Sequence, residues 1–366
     1  MYIALGMVPF LFMAGLLMMH QASISVWLIT YAVFFLLTIS YLSPGLIALF
    51  FLILSGSLFV LGAIKPLRRL LVSKRLFLFA NSSMPEMSAT EREALEAGSV
   101  GWEKEIFCGA PEKEALYTIP SVSLTSEEQA FIAGPVNELC RMVDDWDITH
   151  NRADLPPEIW DFVKCQGFLG LIIPRQYGGL EFSATAQMTV LSILYGRSVS
   201  LATTVAVPNS LGPAELLLKY GTDEQKNYYL PRLADGREIP CFALTGPDAG
   251  SDAASIPDKG TICRRQINGK EMTGILLNWN KRYITLAPVA TLIGLAFRLF
   301  DPDNILGKGN DAGISCALIP ANTEGVTTGR RHFPLNIVFH NGPTTGKDVF
   351  IPLDYLIGGE KMAGQG

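Results

Sequence analysis

Hydrophobic residues fall along this chain in three regimes. From Met1 to Ile64 there is no Asp, Glu, Lys or Arg, and three apolar blocks can be drawn, Met1 to Met19, Ala22 to Leu42 and Gly45 to Ile64. Each approaches the ~20 residues that span a hydrocarbon core, so two or three membrane helices are predicted, the first block, with Pro9, being the weakest span. A cleaved signal peptide fits badly, because no basic segment precedes the first block and the apolar stretch is too long. Lys65-Pro-Leu-Arg-Arg-Leu-Leu-Val-Ser-Lys-Arg75 follows, with five basic residues and no acid. By the positive-inside tendency this predicts an inner-membrane protein whose body faces the cytoplasm, with the basic segment resting on anionic headgroups.

The second regime is helical. Residues 65–124 read as a basic juxtamembrane segment and connector with a short helix near Ala89 to Ala97, capped by Thr90 and Glu93. From 125 to 239 the signals are those of an all-α domain. Ser126 can cap a helix over Glu127 to Asp144, Pro157 can open one through Gln166, and Ser183 can cap one through Tyr195. Thr222 and Gln225 form a capping box before a helix that ends near Asp235. Met188, Leu191, Leu194 and Tyr195 recur at helical spacing and are expected in the core. Ile173-Pro-Arg-Gln-Tyr-Gly-Gly-Leu180 reads as a tight Gly-Gly turn between an apolar run and another helix.

After Pro240 the period shortens. Ile262 to Ile267, Met272 to Leu277, Tyr283 to Leu286, Ala290 to Phe300, Ser315 to Ile319 and Val326 to Thr328 are short runs separated by Gly, Asn or Asp, which predicts a compact β domain over 240–354. Asn268-Gly269 is the sharpest hairpin signal. Arg330 to Pro343 lacks a pattern of its own and reads as a long loop returning to the sheet.

Composition narrows the chemistry. The 366 residues are 49% hydrophobic and 17% charged, with a net charge of −5 even with the basic cluster included. An acidic body offers no footprint for DNA or RNA. The six cysteines lack a CxxC pair or a histidine at metal-binding spacing, and read as reduced core thiols. The four histidines, His20, His150, His332 and His340, read as hydrogen-bonded surface or loop residues. There is no GxSxG, Walker A or strand-borne GxGxxG, so a hydrolase, an NTPase and a Rossmann enzyme lack their signatures.

Two segments remain that do point to chemistry. Phe242-Ala-Leu-Thr-Gly-Pro-Asp-Ala-Gly-Ser-Asp252 and Trp279-Asn-Lys-Arg-Tyr-Ile-Thr285 each end an apolar run in hydroxyls and small residues, the composition that lets backbone N–H groups approach a pyrophosphate or a flat heteroaromatic ring. A surface turn has the same composition. In order and spacing, these segments and Ile173 to Leu180 resemble the acyl-CoA dehydrogenase family over about Thr125 to Gly359. Trp279 to Phe297, Asn336 to Asp354 and the hydrophobic N-terminus resemble its long, membrane-associated bacterial FadE-type branch.

The resemblance implies an α+β fold: transmembrane helices, the family's all-α domain, then a middle β-barrel-like domain. It implies FAD as cofactor, acyl-CoA as substrate and an electron-transfer flavoprotein as electron acceptor, and it leaves homo-oligomerisation open. Carried over by position, Phe242, Ala243, Leu244 and Thr245 lay backbone against the flavin, with the Thr245 hydroxyl at its pyrimidine edge. Gly250 and Ser251 lie near the pyrophosphate, and Ser251 also faces acyl-CoA. Tyr283 stands where the family often has Trp and shields the ring, and Ile284 and Thr285 follow, the Thr285 hydroxyl directed at flavin N5. Gly246 replaces a common Glu or Ser, and Leu286-Ala287 a common Asn-Gly. The family's catalytic Glu belongs to a C-terminal helical domain that would begin near Glu360, so residues 355–366 read as the start of a truncated domain and no catalytic base is assigned. The implied activity is oxidation of acyl-CoA to trans-2-enoyl-CoA in fatty-acid β-oxidation, by a portion inactive alone. The alternative is a membrane-tethered acyl-CoA-binding or scaffold protein without turnover.

Overall fold

The computed structural model describes residues 12–20 and 22–42, most of 50–84, parts of 95–118 and, apart from 211 and 268, all of 122–365. The chain divides into two units, Met1–Thr118 and Ile119–Gly366.

In the first unit the second apolar block forms helix α1, Ile24–Leu42. The expected transmembrane helices are corrected here: among the described residues no helix is long and apolar enough to cross a membrane. The inner-membrane placement and its orientation rested on those spans and fall with them. The first and third blocks lie partly outside the described residues, as does most of the stretch from Ala89 to Ala97. The basic segment is helical, with Lys65–Arg68, a π-helical Arg69–Ser73 and Lys74–Ser83 in succession.

In the second unit four helices start where a side chain satisfies one of their first N–H groups. Helix α2, Ser126–Phe131, is capped by Thr125, one residue before the expected Ser126, in a capping box with Glu128. Glu128 does more than cap. Its Oε2 accepts from the Thr125 N–H at 2.8 Å and its Oε1 from the Ser183 N–H at 2.8 Å, so one buried carboxylate joins two helix starts. Pro135, which has no N–H to give, sits in a π-helical turn, Ile132–Val136, before α3, Asn137–Met142. Helix α4, Pro157–Cys165, starts on its proline, and α5, Ala184–Arg197, on the Ser183 hydroxyl. Helices α6, Val199–Ala206, and α7, Pro213–Tyr220, lead to α8, Asp223–Ala234, whose Thr222–Gln225 capping box forms as the sequence predicts. On α5, Leu191 and Leu194 are core, but Met188 and Tyr195 are exposed.

The sheet has seven strands in the order β1-β4-β2-β3-β7-β6, with β5 on the other side of β4. These are β1 (Pro240–Ala243), β2 (Lys259–Ile267), β3 (Lys270–Thr285), β4 (Leu292–Phe300), β5 (Asp311–Pro320), β6 (Val326–Thr328) and β7 (Asn341–Pro352). Strands β1 and β2 share one edge of β4: β1 pairs in parallel with Leu292 to Leu295, and β2 with Arg298 to Phe300. Between them the chain leaves the sheet after Ala243 and re-enters at Lys259. The β2–β3 hairpin closes at Ile267 opposite Lys270, with Gly269 at φ 78°. Two separate expected strands, Met272 to Leu277 and Tyr283 to Leu286, are one long β3, because β-bulges let a single strand bend past β7. One apolar core runs from Val190 and Leu194 of α5 to Leu295 and Phe297 of β4.

Candidate functional site

The loop that leaves the sheet after β1 and the bulged end of β3 meet. Phe242 and Ala243 end β1, and Leu244 and Thr245 continue half-buried. The Thr245 carbonyl accepts from the Arg282 N–H at 3.0 Å, and the Leu244 carbonyl accepts from Lys281 Nζ at 2.7 Å. Gly246 donates to the Ala249 carbonyl at 2.9 Å, closing a turn, and a Cβ on Gly246 would sit 3.1 Å from the Asn280 carbonyl. The two segments lie thirty-odd residues apart in sequence and are bound backbone to backbone.

A buried ion pair backs this seam. Lys281 Nζ lies 2.5 Å from Asp258 Oδ2, with side chains 0% and 2% exposed. That contact is too oblique to satisfy Oδ2 as a hydrogen bond, while Oδ1 accepts from the Asn280 N–H at 2.7 Å. Burial pushes the Lys281 ammonium below its ordinary value, and the Asp258 carboxylate opposes that shift. Neither residue stood out in the sequence as functional, although a lysine within an apolar strand pattern was a signal that it needed a partner.

Beyond the ion pair the strand bulges. The β3–β7 register passes from Lys281 opposite Thr344 to Ile284 opposite Gly342, three steps against two, and Tyr283 takes φ 58°. The bulge turns Tyr283 out, 56% exposed, while Ile284 is buried and Thr285 half-buried. Asn341, first residue of β7 and paired with Thr285, donates from Nδ2 to the Tyr283 carbonyl at 3.1 Å and to Thr285 Oγ at 3.2 Å. The Tyr283 ring lies 4.8 Å from the His332 ring. Gly250 and Ser251 sit on the exposed turn, where a Cβ on Gly250 would meet nothing within 4 Å.

Of the loop expected over Arg330 to Pro343, residues up to His340 are loop and 3-10 turn, while Asn341 to Pro343 already belong to β7; the loop is also pinned. His340 is buried and its Nε2 lies 2.8 Å from Asp154 Oδ1. Asp154 is held below the usual carboxylate range: burial works against this, but the His340 imidazole, the Leu155 N–H and the Trp160 N–H prevail. Arg331 donates to the carbonyls of Ala153 and Val338. These contacts fix the start of β7 to the helical part of the unit. His340 was expected at the surface or in a loop; it is hydrogen-bonded, but inside. Cys241 is a buried thiol that burial pushes up to about 12, inert as its apolar setting requires. Among the described residues no cluster of His, Cys, Asp or Glu could hold a metal ion.

Comparison with known proteins decides the family. Residues 127–237 match the acyl-CoA dehydrogenase N-terminal domain and residues 241–342 the acyl-CoA dehydrogenase middle domain, together more than half of the chain. The chain belongs to the acyl-CoA dehydrogenase family. It is 32% identical over 275 residues to the probable acyl-CoA dehydrogenase FadE10 of Mycobacterium tuberculosis, covering 73% of this chain and 40% of that protein. Over 71 residues, 19% of this chain and 42% of the relative, it is 61% identical to the protein HemX of Proteus mirabilis. Among solved structures, a glutaryl-CoA dehydrogenase from Mycobacterium smegmatis in complex with FADH2 superposes with a TM-score of 0.52 at 26% identity, covering 64% of this chain and 55% of that one. The chain thus spans less than half the length of these two curated relatives. The expectation of FAD agrees with that flavin-bound neighbour.

Proposed function

We propose that this chain supplies the flavin-binding and acyl-CoA-facing surfaces of an enzyme that oxidises acyl-CoA to trans-2-enoyl-CoA. The observation that carries the reading is the seam itself: Lys281 and Arg282 hold Leu244 and Thr245 by their carbonyls, so the two hydroxyl-bearing segments form one rigid unit. The residues fit FAD. Thr245 and Thr285 are half-buried hydroxyls, Gly250 and Ser251 leave an open turn, and Tyr283 is turned out by the bulge as a flat cover. When bound, FAD accepts the hydride from the substrate β-carbon.

The chain's own residues orient and polarise. Phe242 to Thr245 would present backbone along the ring, with the Thr245 hydroxyl toward its pyrimidine edge, and Ser251 would serve both pyrophosphate and acyl-CoA. With Ile284 anchored in the core beside it, the Thr285 hydroxyl would donate toward N5, where negative charge grows during reduction. The α-proton leaves to a carboxylate base that no Asp or Glu of this chain is assigned to provide. An electron-transfer flavoprotein would serve as electron acceptor.

The test is anaerobic titration of the FAD-loaded protein with saturated acyl-CoA thioesters of short, medium and long chain, following flavin absorbance. Binding of FAD together with a spectral response to acyl-CoA is expected. A chain that retains FAD but shows no response to any acyl-CoA would support a scaffold instead, and one that retains no FAD sinks the reading.

A further inference from the structure

We infer that Asn341 is a positioning residue for the Thr285 hydroxyl, and that His332, protonated on Nδ1, locks Asn341 in place. The inference rests on the reading that Thr285 donates to flavin N5. It starts from hydrogen-bond capacity. Asn341 is 4% exposed, and one end of its amide lies 3.1 Å from the Tyr283 carbonyl oxygen. A carbonyl oxygen only accepts, so the nitrogen must face it, and the amide has only one possible orientation.

Two consequences follow from that orientation. The second N–H of the same nitrogen points to Thr285 Oγ, 3.2 Å away. Thr285 is therefore an acceptor on its inner side, and its own hydrogen is left for a partner on the outer side; among the described residues no acceptor takes it. At the other end, Asn341 Oδ1 faces His332 Nδ1 at 3.3 Å and needs a donor there, which selects the Nδ1–H form of the imidazole. The backbone reinforces the contact, since the His332 N–H donates to the Asn341 carbonyl at 2.8 Å. The His332 ring also lies against Tyr283, so the same residue sets the cover and the donor.

Without the Asn341 donor the Tyr283 carbonyl in the bulge would lose its partner, and the nearby Thr285 hydroxyl could turn inward to supply one. Asn341 prevents this and gives Thr285 a fixed polarity. Loop residues 330–340 reach this position because His340 and Arg331 anchor them to Asp154 and Ala153. The buried amide is thus part of the cofactor-facing machinery, although it need not touch the cofactor.

Two measurements test the inference. In the FAD-free full chain, long-range 1H–15N spectra of His332 in mildly alkaline buffer are expected to show the Nδ1–H form; the Nε2–H form, which free histidine prefers, would overturn the lock. With FAD labelled with 15N at N5, Thr285→Val is expected to shift the N5 resonance. Asn341→Asp, which has the same shape but no N–H, should reproduce most of that shift, and the double variant should add nothing. A shift with Thr285→Val but none with Asn341→Asp overturns the role of Asn341 and leaves the proposed function standing. No shift with Thr285→Val shows instead that Thr285 is not at N5, and the reading beneath the inference fails. Should Asn341→Asp not fold, His332→Phe carries the test: it keeps a ring against Tyr283 and removes the donor to Oδ1. A shift in the same direction is expected, and an unchanged resonance overturns the inference.

Discussion

Lys281→Met tests whether the seam between the two segments depends on its buried ion pair. Methionine keeps the length and apolar stem of lysine and removes the ammonium. Asp258 would then keep a buried carboxylate whose Oδ2 has no counter-charge, and the Leu244 carbonyl would lose its 2.7 Å donor. Removing one partner of a buried pair costs about 3–5 kcal/mol, because the remaining charge stays desolvated. A lost hydrogen bond adds about 1 kcal/mol. The sign of the second step is more telling than the size of the first. Asp258→Asn in the Lys281→Met background removes the orphaned charge while its Oδ1 can still accept from the Asn280 N–H, so the double variant should be about 2 kcal/mol more stable than Lys281→Met alone. Urea unfolding followed by tryptophan fluorescence reads both, with unchanged m values showing that the unfolded state is not what moved. A loss below about 1 kcal/mol for Lys281→Met, or no recovery with Asp258→Asn, would refute the argument that the pair is energetically closed to water.

Glu128 is drawn down to about 2, chiefly by the Ser183 backbone N–H and then by that of Thr125. Its folded value lies below its ordinary 4.5, so its stabilisation is complete above that pH and is lost as pH falls toward 2; thermal melts of Glu128→Gln should lose this acid dependence, and an equal slope in both proteins would count against it. Gly179→Ala would place a Cβ 2.0 Å from the Ile173 carbonyl oxygen, so the tight turn must open at a cost of at least ~1–3 kcal/mol, visible in the urea midpoint. Thr285→Val keeps the β-branched shape but leaves one buried Asn341 N–H without its acceptor, at a cost of about 1–3 kcal/mol in urea unfolding; in an enzyme that also has its carboxylate base it should slow flavin reduction on the order of 10²-fold, whereas an unchanged rate removes Thr285 from N5. Ser251→Ala should weaken retention of FAD and of acyl-CoA together, as measured by equilibrium dialysis; loss of one alone would separate the two contacts.

Helix starts were legible in the sequence because they are local. Thr222 with Gln225 and Ser183 satisfy N–H groups three residues away, Pro157 brings a pre-set φ and no N–H to the first turn, and all three do what their positions suggest. Thr125 was missed in favour of Ser126, a one-residue slip between neighbouring hydroxyls, and what decides it is Glu128 three residues on. The N-terminal apolar run misled for the opposite reason: hydrophobicity and missing charge mark segments that avoid water, but crossing a bilayer also needs a long, unbroken apolar helix, and no helix among the described residues meets that requirement. Periodicity likewise overstated the core on α5, where Met188 and Tyr195 fall outside the buried stripe.

The candidate site divides along the same line. Its two conspicuous segments could be read from composition, but what holds them together could not. Lys281 meets Asp258 across twenty-three positions, and Asn341 meets Thr285 across fifty-six, from a stretch with no pattern of its own. Neither contact follows from spacing. The second requires the β3 bulge, since without it the residues after Lys281 would pair with β7 one position out of step and turn alternate side chains to the opposite face. The left-handed Tyr283 at that bulge is the local sign of it, a conformation that costs a non-glycine residue about 1–2 kcal/mol and persists only where its surroundings over-determine it. Asn341 on its carbonyl and Lys281 two residues before it supply that constraint. The residues that shape this site are therefore the buried polar ones that a sequence pattern hides, and the strain at Tyr283 is what connects them to the cofactor-facing hydroxyl of Thr285.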